Sequence, residues 1–209
     1  MKKYTETELK VLNRQLQGIP PEEILNWIIE ATGKQMVTTN FRPYEAAILH
    51  ACHKIKPDIR VIWCDTGYNT PQTYRHAREL IERFDLNVRL YIPTQTAAFR
   101  DAYFGGIPQV DDPQHEEFTR QVKLEPFQRA MAQERPEVWF TNLRQGQTSF
   151  RDSIGILSYS RDGILKVSPF YHWSDEKLDE YLKEHKLPNE FNYFDPTKVL
   201  ENRECGLHN

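Results

Sequence analysis

Residues 60–92, RVIWCDTGYNTPQTYRHARELIERFDLNVRLYI, decide the predicted fold. The stretch begins with a short apolar segment, residues 60–65, and ends with a second one, residues 87–92. Between them, residues 71–84 open with a proline and have the pattern of a helix. Two strands joined through a helix predict a βαβ unit, because parallel strands need a long crossover connection.

The same alternation continues on both sides of this unit. Upstream, PPEEILNWIIEATGK (residues 20–34) predicts a helix that ends near Gly33. The alternation predicts an α/β fold around a parallel sheet. The other expected elements are strands at residues 35–40 and 137–143, helices at residues 45–55, around 124–133 and at 174–185, and a hairpin at residues 155–169 that turns at Arg161, Asp162 and Gly163.

The composition narrows the range of functions. The chain has 209 residues and a formal net charge of −3, so we expect one domain and no surface that binds nucleic acid nonspecifically. No apolar run approaches the ~20 residues of a membrane span, and the opening MKKYTETELK lacks the apolar core of a signal peptide. A cytoplasmic protein is therefore expected. From Leu187 onward there is no periodicity, which predicts a loose C-terminal tail.

Polar residues follow three of the predicted strands, where ligands bind in open α/β sheets. Hydroxyls and free backbone N–H groups at a strand-to-helix junction could take a phosphate, and guanidinium groups grip phosphate or sulfate. Each stretch is also compatible with an ordinary turn or with solvated arginines. The candidates are Thr38, Thr39, Asn40, Phe41 and Arg42 after the first strand, Asp65, Thr66 and Gly67 after the second, and Arg144, Gln147 and Arg151 after a later one.

The three cysteines differ in their sequence environments. Cys52 lies in an apolar helix and Cys64 in an apolar strand, so both are expected to be inert core residues. Cys205 lies near the C-terminus between Arg203 and His208, whose positive charges would lower its pKa and favour the reactive thiolate. An odd number of cysteines without a C-x-x-C pair argues against a disulfide framework and against a zinc or iron–sulfur site.

Four motifs together identify a family resemblance. In chain order they are DTGY at residues 65–68 followed by P-x-T-Y, K-x-E-P at residues 123–126, LR-x-x-Q-(S/T)-x-x-R at residues 143–151, and ECGLH at residues 204–208. In this order they resemble the phosphoadenylyl-sulfate (PAPS) reductases, over roughly Gly33 to the end of the chain. The resemblance implies a doubly wound, Rossmann-like sheet of the adenine-nucleotide α-hydrolase-like class.

The resemblance also implies a reaction: reduction of activated sulfate to sulfite, with thioredoxin or glutaredoxin as electron donor, in a homodimer. Cys205 would attack the sulfonyl sulfur, with Arg203 and His208 beside it, and Lys123 and Arg144 would neutralise the phosphosulfate. Arg151 and Gln147 would assist, Thr38 to Phe41 would line the nucleotide, and Asp65 to Gly67 would lie along its adenosine. The implied organisation is N-terminal helices at residues 1–32, an α/β core at 33–186 and a catalytic tail at 187–209.

The chain departs from the family pattern in several places. It has TTNFR where S-S-S-F-G is usual and RQGQT where R-R-E-Q-S is usual, and it lacks the G-D-x-H-(S/T)-T segment. It also lacks the paired cysteines of the adenylyl-sulfate (APS) reductase branch, so no iron–sulfur cluster is expected.

Three alternatives to a PAPS reductase remain open. They are a cluster-free APS reductase, a non-catalytic nucleotide-binding module and an ATP pyrophosphatase of the same broad fold. The intact ECGLH argues against the binding module, and the lack of an S-G-G-x-D-S loop argues against the pyrophosphatase. Arg42 is expected to meet the 3′-phosphate of PAPS and so to favour PAPS over APS.

Overall fold

The computed structural model describes residues 3–149 and 151–198. Their strands form one six-stranded sheet, in the spatial order β3-β2-β1-β4-β6-β5. In chain order the strands are β1 (Gln35–Thr39), β2 (Arg60–Cys64), β3 (Val88–Tyr91), β4 (Val138–Phe140), β5 (Leu157–Tyr159) and β6 (Leu165–Val167). Neighbouring strands are parallel except for β5, which pairs antiparallel with β6. The chain therefore winds outward from β1 in both directions, and the predicted doubly wound sheet is confirmed.

Helices connect these strands and cover both faces of the sheet. They are α1 (Glu6–Leu16), α2 (Pro21–Ala31), α3 (Glu45–Ile55), α4 (Pro71–Phe84), α5 (Ala97–Phe104), α6 (His115–Thr119), α7 (Glu125–Glu134) and α8 (Asp175–Glu184). A π-helical turn, Arg120–Leu124, joins α6 to α7, and a 3₁₀ turn occupies Arg151–Ser153. No helix in the described residues is long and apolar enough to cross a membrane.

Alternating strand residues build a core on each face of the sheet. Val37, Val61 and Phe140 belong to the larger core cluster, which includes residues from α2, α3, α4 and α8. Their neighbours Ile62 and Trp139 belong to a smaller cluster on the other face, together with a residue of α7. Because side chains alternate between the two faces of a strand, these short apolar strands are buried on both sides, as is typical of parallel sheets.

The elements predicted from the sequence are present, with boundaries that shift by a few residues. The hairpin of β5 and β6 turns where expected, and Gly163 has the positive φ of 75° that favours glycine at a tight turn. Residues 93–123 have no predicted element, whereas the structure has α5, α6 and most of the π-helical turn there.

Residues 187–198, called the docked segment below, correct the expectation of a loose tail. They form no helix or strand, as expected, but they pack against the core. The Tyr44 backbone N–H donates to Oδ1 of Asn189, and the rings of Tyr44 and Phe191 are 5.8 Å apart. Leu187 is buried. The rest of the predicted tail lies outside the described residues.

Candidate active site

A cleft opens where the winding of the sheet reverses, between the carboxyl ends of β1 and β4. Connections leave these two adjacent strands in opposite directions, which creates a crevice for a ligand. The open space in the cleft, including solvent at its mouth, is about 710 Å³. Its lining residues are Thr38, Thr39, Asn40, Arg42, Glu45, Ile62, Cys64, Lys123, Phe127, Trp139, Thr141, Asn142, Leu143, Arg151, Tyr193, Asp195 and Lys198.

The loop between β1 and α3 is organised around the buried carboxylate of Glu45. Oε2 of Glu45 accepts hydrogen bonds from the Thr39 hydroxyl at 2.8 Å and from the backbone N–H groups of Asn40 and Arg42 at 2.7 and 3.4 Å. Oε1 accepts from Nε of Arg42 at 2.7 Å, and the Phe41 N–H donates to the Thr39 hydroxyl. The expectation of free N–H groups in this loop is wrong, because Glu45 and Thr39 already accept from them.

The same loop contains two residues in the left-handed region of backbone space. Phe41 has a φ of 54° and Tyr44 a φ of 68°, and neither is a glycine. Such residues cost about 1–3 kcal/mol each and persist where the surroundings hold them in place. Phe41 is buried with its ring 4.9 Å from that of Trp63, and the Glu45 hydrogen bonds fix the backbone between the two. The Phe41 side chain therefore packs in the core, where it anchors the loop, and it is not part of the cleft lining.

Lys123 supplies a buried positive charge to the opposite side of the cleft. It lies in the π-helical turn and is only 4% exposed. Its ammonium group forms an ion pair with Asp195 of the docked segment and donates to the Thr197 hydroxyl at 3.3 Å. Burial alone would raise the pKa of the Asp195 carboxyl, but Lys123 and Thr197 outweigh it and hold that pKa below its usual range.

Arg151 is the second buried cation in the cleft wall. It is 3% exposed, and its Nη1 donates to Oε1 of Gln147 at 2.5 Å. The same Gln147 oxygen accepts from the backbone N–H of Arg144 at 3.1 Å. Gln147 thus links the two arginines of the predicted motif, although only Arg151 lines the cleft.

Arg144 points to a different part of the molecule from the one that the sequence analysis expected. Its Nη2 pairs with Oδ1 of Asp175 at 2.5 Å, at the start of α8, and its Nη1 donates to the Trp173 carbonyl. Its guanidinium carbon lies 5.3 Å from the centre of the Tyr44 ring. These contacts tie β4 to α8 and keep Arg144 out of the cleft lining, so its role toward a ligand stays a prediction.

Asp65, Thr66 and Gly67 form a tight turn at the end of β2, next to the cleft. Oδ1 of Asp65 accepts from the Gly67 N–H at 2.9 Å, and Gly67 has a φ of 82°. The Thr66 carbonyl accepts from Nη2 of the buried Arg100 at 3.0 Å. The turn adjoins the cleft through Cys64, which lines it, while these three residues do not.

Cys52 and Cys64 are buried, free cysteines, as predicted. Burial raises the pKa of both thiols. The pKa of Cys64 reaches about 12, even though Lys123 and Arg129 act to lower it. Both thiols are therefore protonated and unreactive at neutral pH. Cys205, Arg203 and His208 lie outside the described residues.

Several residues of the cleft were not found by sequence reasoning. Glu45 opens α3, and an acidic residue at the start of a helix that follows a strand is a signal that could have been used. Asp195 and Lys198 lie in a stretch without periodicity, and Asn142 resembles any polar residue at the end of a strand. Within the described residues, no group of three or more His, Cys, Asp or Glu side chains could hold a metal ion.

The doubly wound sheet with a cleft at its switch point is the fold of the adenine-nucleotide α-hydrolase-like class. Within that class, the chain belongs to the phosphoadenosine phosphosulfate reductase domain family, whose model matches residues 34–193. The protein is accordingly an oxidoreductase of the PAPS reductase type.

Individual relatives agree with this assignment. The chain is 35% identical over 182 residues to the phosphoadenosine 5′-phosphosulfate reductase of Xylella fastidiosa strain M23, covering 87% of this chain and 76% of the relative. It is 32% identical over 176 residues to the enzyme of the same name from Escherichia coli O6:K15:H31, covering 84% and 72%.

Solved structures support the fold. The PAPS reductase of Candida auris in a phosphate complex has a TM-score of 0.78 at 22% identity, covering 90% of each chain. A more distant neighbour is the FMN adenylyltransferase of Candida glabrata in complex with ATP, with a TM-score of 0.55 at 10% identity, covering 82% of this chain and 55% of that one.

Proposed function

We propose that this enzyme reduces 3′-phosphoadenylyl sulfate to sulfite and adenosine 3′,5′-bisphosphate, with Cys205 as nucleophile and thioredoxin or glutaredoxin as electron donor. One observation carries the proposal: Lys123 of the KLEP motif and Arg151 of the LRQGQTSFR run, far apart in sequence, line the same cleft and are both buried. Fixed cations in a water-poor cleft are what a phosphosulfate group requires, because its charge is strongly attracted there and the donors need no rearrangement.

The lining of the cleft also supports a nucleotide ligand. Small-molecule sites combine apolar walls with a few polar groups. In this cleft Phe127 and Trp139 are apolar walls, and Asn142 presents a buried Oδ1 that has no hydrogen-bond partner in the described residues. That oxygen is an acceptor for a ligand hydroxyl or amino group.

The proposed chemistry takes place in two steps. The Cys205 thiolate attacks the sulfonyl sulfur, a bond from Sγ to sulfur forms, the bond from sulfur to the phosphate oxygen breaks, and adenosine 3′,5′-bisphosphate leaves with the electron pair. A thiolate of the external dithiol then attacks Sγ of Cys205 and expels sulfite. Its second thiol resolves the mixed disulfide, so that the dithiol supplies two electrons. The buried, protonated thiols of Cys52 and Cys64 are unsuited to either step.

Intact-protein mass spectrometry tests this mechanism. Without a dithiol, one equivalent of PAPS should add one sulfonate to Cys205 and release one equivalent of adenosine 3′,5′-bisphosphate, and reduced thioredoxin should then release sulfite. Cys205→Ser should bind nucleotide and do neither. Cys52→Ala is the matched control and should keep the sulfonate step while losing stability. Near-normal turnover by Cys205→Ser would refute the mechanism.

Adenylyl sulfate is the second candidate substrate, and Arg42 is the reason. Arg42 is the residue expected from the sequence to meet the 3′-phosphate of PAPS, but its Nε is in a 2.7 Å ion pair with Glu45. A sulfite-release assay with each sulfonucleotide, with thioredoxin and with glutaredoxin, decides between the substrates and between the donors. We propose PAPS, and higher kcat/KM with APS would reverse the assignment.

Three further expectations from the sequence belong to the same proposal. The enzyme works without an iron–sulfur cluster, as a homodimer, in the cytoplasm. Iron and acid-labile sulfide analysis of an anaerobic preparation tests the first, and light scattering coupled to gel filtration tests the second. Cell fractionation tests the third.

A further inference from the structure

The docked segment runs beside the substrate cleft and reaches into it. After Asn189 meets the β1–α3 loop, the Asn192 carbonyl accepts hydrogen bonds from the hydroxyls of Thr70 and Thr73, at the start of α4, at 2.6 and 3.1 Å. Tyr193, Asp195 and Lys198 then line the cleft itself. The segment is therefore attached to core elements at one end and to the cleft at the other.

The contact inside the cleft is an ion pair between two buried groups. The side chains of Lys123 and Asp195 are 4% and 8% exposed. A turn holds the carboxylate in position: Oδ1 of Asp195 accepts from the Thr197 N–H at 3.0 Å and from the Thr197 hydroxyl at 2.7 Å. The carboxylate thus has two local donors and a buried cation, and this combination fixes its place on Lys123.

A carboxylate and an oxygen of a phosphate or sulfonate group make the same kind of hydrogen bond to an ammonium group. Two anions side by side in a buried site repel each other strongly, because little water screens them. If Lys123 binds an anionic group of the substrate, as in the proposed function on which this inference rests, then Asp195 cannot keep its present place unchanged.

We propose that Asp195 is a resident counter-anion of the substrate cleft, which an anionic group of the substrate replaces at Lys123, so that the docked segment leaves its position when substrate binds. Asp195 is then a specificity-determining residue: a ligand without a strong anionic group does not displace it. Because Cys205 follows the docked segment along the chain, anion binding at Lys123 is coupled to the release of the segment that precedes the nucleophile.

Calorimetric binding of adenosine 3′,5′-bisphosphate and of adenosine to two variants tests the proposal. Asp195→Asn should bind the bisphosphate at least about tenfold more tightly than wild type, which is about 1.4 kcal/mol, and adenosine equally well. Glu190→Gln is the matched control. It removes the same charge from the same segment, at a residue outside the cleft lining whose Oε1 accepts from the Asn192 N–H, and its affinities should stay within about twofold of wild type.

Weaker bisphosphate binding by Asp195→Asn would overturn the proposal, since Asp195 would then orient Lys123 for the ligand. Absence of bisphosphate binding to wild type would overturn the proposed function and this inference with it. Bisphosphate binding that Asp195→Asn leaves unaltered would overturn this inference alone.

A second measurement uses only the wild-type protein and does not depend on the folding of Asp195→Asn. Amide hydrogen exchange of residues 189–198 should become faster on saturation with adenosine 3′,5′-bisphosphate and should stay unchanged with adenosine. Exchange that is unchanged or slower with the bisphosphate would contradict displacement of the segment.

Discussion

Two carboxylates, those of Glu45 and Asp195, occupy hydrogen-bond donors of the cleft that an anionic ligand could otherwise use. Glu45 accepts from the backbone and from Arg42 at the end of β1, and Asp195 pairs with Lys123 on the opposite side. Glu45 belongs to α3 and is fixed by four donors, whereas Asp195 belongs to a segment without regular structure. An incoming anion therefore has an easier route to Lys123 than to the β1–α3 loop.

Arg100 is the residue that holds the turn at the end of β2. It is 1% exposed, and it donates to the carbonyls of Gln95 and Thr66 at 2.6 and 3.0 Å. Its guanidinium carbon lies 5.3 Å from the centre of the Tyr68 ring. Arg100 touches no residue of the cleft lining through these contacts, so it is a positioning residue.

Arg100→Met should raise the KM for the sulfonucleotide severalfold and lower kcat much less. The Thr66 carbonyl loses its donor, and the turn that contains Gly67 loses its fixed position beside the cleft. Steady-state kinetics measure this split. Arg78→Met removes an exposed arginine from α4 and should change neither constant. A fall in kcat with an unchanged KM would contradict the positioning role.

Part of the candidate site could be predicted from the sequence, and individual residues show why the other site residues could not. Lys123 and Arg151 were found because each belongs to a recognisable motif. Arg144 belongs to the same motif as Arg151, yet its side chain turns to Asp175 at the start of α8. That direction depends on where the folded chain places the start of α8, which no local pattern encodes. Asp195 was missed for the same reason, since only the folded chain brings it to Lys123.

At the scale of elements, α1 covers the β5 edge of the sheet. β5 is an edge strand, and Asn13 of α1 bonds its backbone in both directions: Nδ2 donates to the Leu157 carbonyl at 2.9 Å, and Oδ1 accepts from the Leu157 N–H at 2.7 Å. A Cβ on Gly155, which has a φ of 80°, would lie 2.8 Å from Nδ2 of Asn13. Glycine at this position lets α1 approach the strand closely.

Asn13→Ala should lower the free energy of unfolding by about 1–3 kcal/mol, because both backbone groups of Leu157 lose their partner. Urea denaturation measures the change. Asn26→Ala on α2 is the control, since the Asn26 amide donates to the exposed carboxylate of Glu30 and its loss should cost less than about 0.5 kcal/mol. Equal losses of unfolding free energy in the two variants would show that Asn13 does not stabilise the β5 edge specifically.

The strands and longer helices could be predicted because each has an apolar pattern that its burial requires. α5 could not, since it has eight residues and leaves Phe99 and Tyr103 exposed while burying Arg100. A short helix that buries a charged residue and exposes aromatic ones has no periodicity to detect. α6 has only five residues, which is too few to show a period.

At the scale of the whole molecule, stability should depend on pH through His50, where α3 packs against α8. The pKa of His50 is lowered to about 4, mainly by burial and also by the nearby His185 and Lys54, while Glu22 opposes them. Nδ1 of His50 lies 2.8 Å from the Tyr181 hydroxyl. The other groups that influence this site are His53 and Glu184.

Because the folded pKa of His50 lies below the unfolded value of about 6.5, the unfolded chain takes up a proton there that the folded chain does not. The contribution of His50 to stability is therefore complete above about pH 6.5 and declines as the pH falls toward about 4. The difference in unfolding free energy between wild type and His50→Gln should shrink between pH 7.5 and pH 4.5, as measured by urea denaturation. A difference that is constant over this range would contradict the assignment.

The π-helical turn that contains Lys123 also sets the rotational phase of a continuous helical rod from His115 to Glu134. A π turn accommodates one residue more than an α turn, and each residue of an α-helix rotates the chain by about 100°. Because the extra residue is held within the π turn, α6 and α7 keep the relative phase of a regular α-helix, and the side chains of His115 and Phe118 are buried. A further residue that the turn could not absorb would rotate α6 by that angle relative to α7 and turn these two side chains away from the core, so this stretch tolerates substitution more readily than insertion.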